Sequence, residues 1–168
     1  MNTSQMLITI GALLLLGLVI LRVNNGFLNT DSVLLDSKLG VLATSVATSI
    51  MEEANSKAFD QNTDTVSVSS LTQLSSVLGP ESGETYPHFN DFDDFNGYHR
   101  VDTTMPAAKF IIDCKVEYVL PANPDSAVGT RTWHKKLTVE VSSPSLIGQD
   151  DKPDTLRMST IYSYWYFR

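Results

Sequence analysis

Residues 6–21 read MLITIGALLLLGLVIL, a run without a single charge, broken only by Thr9, Gly11 and Gly17. A helix that is apolar on every side must be enclosed by something other than water. The run is slightly shorter than the about 20 residues of an ordinary spanning helix. Extended by Val23 and the neutral MNTSQ of residues 1–5, it can span a membrane with local thinning of the bilayer. Arg22 is the one basic residue nearby, which leaves orientation open. MNTSQ lacks Lys and Arg, and no small-residue cleavage site follows Leu21, so the pattern is not that of an ordinary cleaved secretory signal. Two uses stay open: an anchor in lipid, or a helix shielded by copies of itself.

Downstream, residues 30–60 read TDSVLLDSKLGVLATSVATSIMEEANSKAFD. Thr30 or Asp31 can cap a helix start. Leu35, Leu39, Leu42, Val46, Ile50 and Ala54 recur at three- and four-residue steps and so share one face. Asp36, Lys38, Ser45, Ser49, Glu52 and Glu53 fill much of the remainder. The spacing therefore predicts an apolar helix over 1–23 followed by an amphipathic one over 24–57, together roughly 80 Å long at 1.5 Å per residue. Between them Asn24, Asn25 and Gly26 are poor helix formers, and an unwound or bent hinge is expected there.

The remaining residues, 58–168, are expected to form one globular α+β domain. Residues 60–70 read as a polar loop, with Thr65-Val66-Ser67-Val68 a candidate strand, and residues 71–78 as a helical turn ended by Gly79-Pro80. The segment PESGETYPHFNDFDDFNGYHRVD carries Tyr86, Phe89, Phe92, Phe95 and Tyr98, too many aromatics for a solvated linker, so a packed loop is expected. Phe110, Ile112, Cys114, Val116 and Tyr118 then alternate with Ile111, Asp113, Lys115, Glu117 and Val119. After Pro121 and Pro124, Trp133, Lys135, Leu137, Val139 and Val141 alternate with Thr132, His134, Lys136, Thr138 and Glu140, and Pro144 is expected to end that strand. The closing LRMSTIYSYWYFR is β-rich. Three antiparallel strands packed on the amphipathic helix complete the expected fold.

A net charge of −7 over 168 residues argues against nucleic acid as a partner and suits a soluble, self-repelling surface. The single cysteine, Cys114, precludes an intrachain disulfide and falls on the apolar phase of its strand, where a buried inert thiol is expected. His88, His99 and His134 lack metal-ligand spacing. Asp113, Lys115 and Glu117 read as surface charge pairing rather than an acid/base pair. No G-x-S-x-G, phosphate loop or nucleotide fingerprint occurs, so no enzyme and no cofactor are expected.

The architecture of a long N-terminal helix, apolar in its first half, leading to a small antiparallel sheet resembles bacterial type IV pilins and pseudopilins over the whole chain. Phe92-Asp93-Asp94-Phe95-Asn96-Gly97-Tyr98 resembles the DD-F/Y-N/H-G loop of MSHA-type minor pilins. The resemblance implies a subunit of an extracellular filament, drawn from an inner-membrane pool by pilus assembly machinery, with copies of itself as partners. The candidate core residues are Met1, Gln5, Met6, Ile10, Leu13, Leu14, Gly17, Leu18 and Leu21. Gly11 and Gly17 permit close helix approach, although their spacing is not GxxxG.

Three departures stand beside the likeness. No basic leader precedes Met1, so either the numbering starts at the processed residue or the chain is not processed that way. Gln5 takes the place of the family's usual Glu and can hydrogen-bond, but not neutralise, a neighbour's amine. A C-terminal disulfide is missing. The alternative is a monomeric membrane-anchored periplasmic or surface binding module, or a scarce minor subunit of a secretion system.

Two features allow further sites. Asp91, Asp93 and Asp94, beside Asn90 and Asn96, offer hard oxygen ligands for a structural Ca²⁺ or else form a capped acidic turn. As an EF-hand loop the segment fails, since Phe95 stands fifth from Asp91 and Gly97 comes one residue late. In the aromatic C-terminus, Tyr162, Tyr164 and Tyr166, or Ile161, Trp165 and Phe167, belong to the core, and the outward set is a candidate subunit contact. Tyr162, Tyr164, Trp165 and Tyr166 are the residues concerned.

Overall fold

A computed structural model describes residues 2–106, 108–147 and 153–165. Its elements run in the order of one long helix, α1 (Thr3–Asn55), three short 3-10 turns, and five strands. The strands are β1 (His99–Asp102), β2 (Phe110–Leu120), β3 (Asn123–Ala127), β4 (His134–Ile147) and β5 (Pro153–Ser163). The class is α+β with a wholly antiparallel sheet, as the sequence pattern predicts. The chain divides into two compact units, Met1–Lys38 and Leu39–Arg168.

In the first unit α1 runs unbroken through Asn24, Asn25 and Gly26, so the expected hinge and the boundary at 23/24 are both corrected. Asn and Gly each cost at most about 1 kcal/mol relative to Ala, which an intact backbone ladder between strong helix formers outweighs. The Thr30 hydroxyl adds to the ladder by donating to the Gly26 carbonyl at 2.9 Å. Thr9 likewise donates to the Met6 carbonyl at 2.8 Å, so the one hydroxyl within the apolar run is satisfied inside the helix. The stretches Thr3–Phe27 and Val33–Asn55 are each long and apolar enough to cross a membrane.

In the second unit the helix buries Leu39, Ala43, Val46, Ala47, Ile50 and Ala54, the three-and-four spacing of an amphipathic face. These residues share one cluster with Phe110, Ile112, Cys114 and Val116 of β2 and Leu137, Val139 and Val141 of β4. Leu35, assigned by spacing to the same stripe, is exposed. Three alanines on the buried face remove side-chain bulk where the helix meets the sheet.

The sheet has order β1-β2-β4-β5, with β3 paired to β2, so five strands replace the three expected. β1 and β3 escape periodicity because HRVD and NPDSA are short, polar and, in β3, contain Pro124. Their conformation is imposed by β2, which pairs His99 with Asp113 and Leu120 with Asn123. β4 continues past Pro144 to Ile147, against expectation. The β4–β5 register shifts between Ser142 and Ile147, an irregularity that accommodates a residue unable to donate to the ladder. Thr65, Val66, Ser67 and Val68 form no strand.

Replacing Ala47, which is fully buried, by Leu adds bulk where the helix packs into the core. We expect A47L to lower the unfolding free energy by about 1–3 kcal/mol, read from urea denaturation followed by circular dichroism. An unchanged midpoint would show that helix–sheet spacing is not set at this position.

Candidate functional site

The apolar run comes first. Gln5, Met6, Ile10, Leu13, Leu14, Gly17, Leu18 and Leu21 are all exposed, and Met1 lies outside the described residues. Leucines at 13, 14, 15 and 16 are each more than half exposed, and four consecutive positions exceed one 3.6-residue turn. The exposed apolar surface therefore goes all the way round the helix. An added Cβ at Gly11 or Gly17 meets nothing within 4 Å, so neither glycine is required by packing inside the chain.

The second feature is the acidic loop, built on the segment that follows α1. Ala58 bridges to Asp91 in parallel, its amide donating to the Asn90 carbonyl and its carbonyl accepting from the Phe92 amide at 2.8 Å. Asp91 Oδ1 accepts from the amides of Asp93 (2.8 Å) and Asp94 (3.2 Å), starting the 3-10 turn Asp93–Phe95. Asp94 Oδ2 accepts from the amides of Asn90 (2.8 Å) and Asp91 (3.1 Å). Asn96 donates to the Leu78 carbonyl at 2.9 Å and accepts from the Val116 amide at 3.0 Å, tying the turn to β2. Gly97 closes it at φ +79°, a conformation that favours glycine. Phe92 and Phe95 are fully buried, and Phe95 packs edge-to-face on Phe89 at 5.1 Å.

Asp93 points elsewhere, to Lys135, whose side chain is fully buried. The ammonium has three protons and three acceptors: Asp60 Oδ2 at 2.8 Å, the Phe59 carbonyl at 2.8 Å, and Asp93 Oδ1. It also lies 4.6 Å from the Phe59 ring centroid and 5.5 Å from that of Tyr118. Asp60 in turn accepts from the Asn62 and Ser75 amides and the Ser75 hydroxyl. Burial alone would raise the Asp60 pKa, but Lys135, with the Ser75 and Asn62 amides, holds it below the usual carboxylate value. At Asp93 burial wins over Lys135 and the pKa is raised. Burial, with the neighbouring Asp93 and Asp94 charges, pushes Asp91 up to about 8.

The three aspartates, read as either a calcium site or a capped acidic turn, have separate tasks. Asp91 caps a turn, Asp93 pairs with Lys135, and of the three it is Asp94 that groups with Glu81 and Glu84. Burial, the bond to Glu84, and the Asp91 and Asp94 charges push Glu81 up to about 7. Lys135, Asp60, Glu81 and Glu84 were not singled out by the sequence reading as site residues. The available signal was a lysine in phase with Leu137, Val139 and Val141, which places a cation at a core position.

The aromatic C-terminus divides by phase. Tyr162 packs on Phe59 (5.7 Å) and Phe92 (5.3 Å), and Tyr164 stacks on Trp133 (5.5 Å), and both are half-buried. Trp165 is 75% exposed, and Tyr166 and Phe167 lie outside the described residues. Cys114 is buried, and burial together with Asp113 pushes its thiol up to about 12, far from a reactive thiolate. His99 pairs with Asp113 at 2.7 Å and Lys115 with Glu117 at 2.6 Å on the exposed side of β2. Comparison with protein-family models, with curated proteins and with solved structures gives no match to this chain.

Removing one partner of a buried ion pair leaves the others uncompensated, so K135A is expected to cost about 3–5 kcal/mol in urea denaturation, with K135M milder. A K135A loss under about 1 kcal/mol would show the cluster to be energetically idle. For Asp60 the folded pKa is lowered, so its contribution is present above its unfolded value of 3.8 and is lost as pH falls through the folded value. The stability gap between wild type and D60N should therefore narrow between pH 6 and pH 2.5. A gap that widens on acidification would contradict the assignment.

Proposed function

We propose that this chain is a structural subunit of an extracellular type IV pilus-like filament, assembling through its apolar N-terminal helix. The observation that carries the reading is the stretch Thr3–Phe27, a helix apolar and exposed on all sides. Such a surface is compatible with lipid before assembly and with equivalent helices after it. Burying it against copies favours association at roughly 25 cal/mol per Å² removed from water, and in lipid through close packing instead. The role is assembly rather than catalysis. In this reading the chain resides first in the inner membrane and then in a filament at the cell surface.

Supporting features are the α+β domain built on the same helix, the Asp93-Asp94-Phe95-Asn96-Gly97 turn, and the net charge of −7, which keeps domains from associating indiscriminately.

Negative-stain microscopy of material sheared from cells, with mass spectrometry of the fibres, tests the reading. Fibres containing this chain are expected, and the N-terminal peptide reports on processing. G17L separates assembly from anchoring, because it keeps the helix apolar and a Cβ at that position meets nothing within 4 Å. It is expected to leave membrane fractionation and domain folding unchanged while reducing the chain's incorporation into fibres roughly tenfold, about 1.4 kcal/mol of lost packing. A chain confined to the detergent-soluble membrane fraction, and absent from all fibres, would leave the monomeric anchored module in its place.

A further inference from the structure

The turn of residues 81–84 lies against the acidic loop. Its backbone closes with the Glu84 amide donating to the Glu81 carbonyl at 3.0 Å, and Gly83 takes φ +96°. This geometry is favourable for glycine and brings two glutamates, three residues apart, to the same side. The Asn90 side-chain amide donates to Glu84 Oε1 at 2.7 Å, and the Glu81 amide donates to Glu84 Oε2 at 3.2 Å, so Glu84 is held in place. One carboxylate oxygen each from Glu81, Glu84 and Asp94 lies within 4.8 Å of the other two.

We infer that Glu81, Glu84 and Asp94 form a binding site for one calcium ion. Oxygens bound to a common Ca²⁺ at about 2.3–2.6 Å stand at most about 5 Å apart, so the three fit a single ion. A second observation stands apart from the clustering. Asp94 is fully buried and its Oδ2 is fixed by two backbone amides, yet its Oδ1 has no hydrogen-bond donor. Buried oxygens without donors also occur beside it at Glu81 Oε2 and Asn90 Oδ1, and further along the loop at Asp91 Oδ2 and Asp93 Oδ2. Buried polar atoms are ordinarily paired, and acceptors clustered without donors match the demand of a cation.

Local cations do not meet that demand. Lys135 is occupied by Asp60, Asp93 and the Phe59 carbonyl, and the ion pairs of the described residues include none to Glu81, Glu84 or Asp94. The donor set is all oxygen, which selects a hard ion over zinc or copper. Calcium suits it better than magnesium, which requires near-ideal octahedral geometry and gives up its waters reluctantly. Glu81 and Glu84 are half-buried, so the carboxylate group is not wholly sealed from solvent. The site differs from the Asp91, Asp93 and Asp94 set and is independent of whether the chain forms a filament.

The test uses the full chain in detergent, stripped with chelator and titrated with CaCl2 by calorimetry and by thermal unfolding. One ion per chain is expected, with Kd in the range of about 10⁻⁵–10⁻³ M. At 5 mM calcium Tm should rise by at least about 3 °C, and 5 mM magnesium should give less than about half that shift. E81Q and E84Q should each weaken calcium binding at least about tenfold with unchanged circular dichroism. Metal-free E81Q should melt no lower than metal-free wild type, since it removes a repelling charge, and the order should reverse in calcium. A structural role alone would not produce that reversal. Absence of saturable binding at 5 mM, unaltered binding by E81Q and E84Q, or an equal response to magnesium would each overturn the assignment.

Discussion

The fold of the domain turns on one ammonium group. Lys135 lies 75 residues from Asp60 and 42 from Asp93, and its three protons join the segment after the helix, the acidic turn and the centre of the sheet. A charge in a low-dielectric interior is tolerated only when its bonds are complete, and here donors and acceptors match in number. The pairing also specifies register. A one-residue slip of β4 would turn Lys135 out to solvent and bring Lys136 into a core with no place for it. Leucine at 135 could fill the volume but could not select between those registers.

Once that pin is in place, the acidic loop follows from hydrogen-bond bookkeeping. Asp91 and Asp94 each give one oxygen to two backbone amides, so the tight turn has its donors met by side chains rather than by water. Phe92 and Phe95, placed between these polar anchors, enter the core against Tyr162 and Phe89. The alternation of acid and aromatic is therefore a structural grammar. The acids hold the backbone of a turn that the aromatics sink into the protein, where that backbone would otherwise lack partners.

Much of this was legible in the sequence, and the boundary of legibility has physical causes. The period of two in β2 and β4 and the three-and-four spacing from Leu39 to Ala54 survive because burial on one face imposes them. β1 and β3 were invisible because their strand state belongs to the partner: His99 and Asn123 extend because β2 offers a ladder, not because their side chains prefer it. The hinge at Asn24, Asn25 and Gly26 was over-read, since propensity is a weak prior beside a continuous ladder. Lys135 was visible as an anomaly on an apolar phase, but Asp60 and Asp93 are sequence-distant, and periodicity carries no information across that gap. Glu81 and Glu84 were hidden for the same reason, because their meeting with Asp94 depends on a turn and on how the loop folds back.

The two units solve the problem of apolar surface in different ways. From Leu39 onward the helix is amphipathic and its apolar face finds the sheet, so one partner on one side suffices. Residues 13–16 and 18–21 are apolar around the full turn, and one partner on one side would leave most of that surface in water. Only an environment that encloses the helix satisfies it: acyl chains, or several helices at once. Gly11 and Gly17 have no packing role within the chain. Lipid, being fluid, has no use for a notch at a fixed position, whereas neighbouring helices do. Gly11 and Gly17 are therefore notches that only a protein surface, not fluid lipid, could fill at a fixed position.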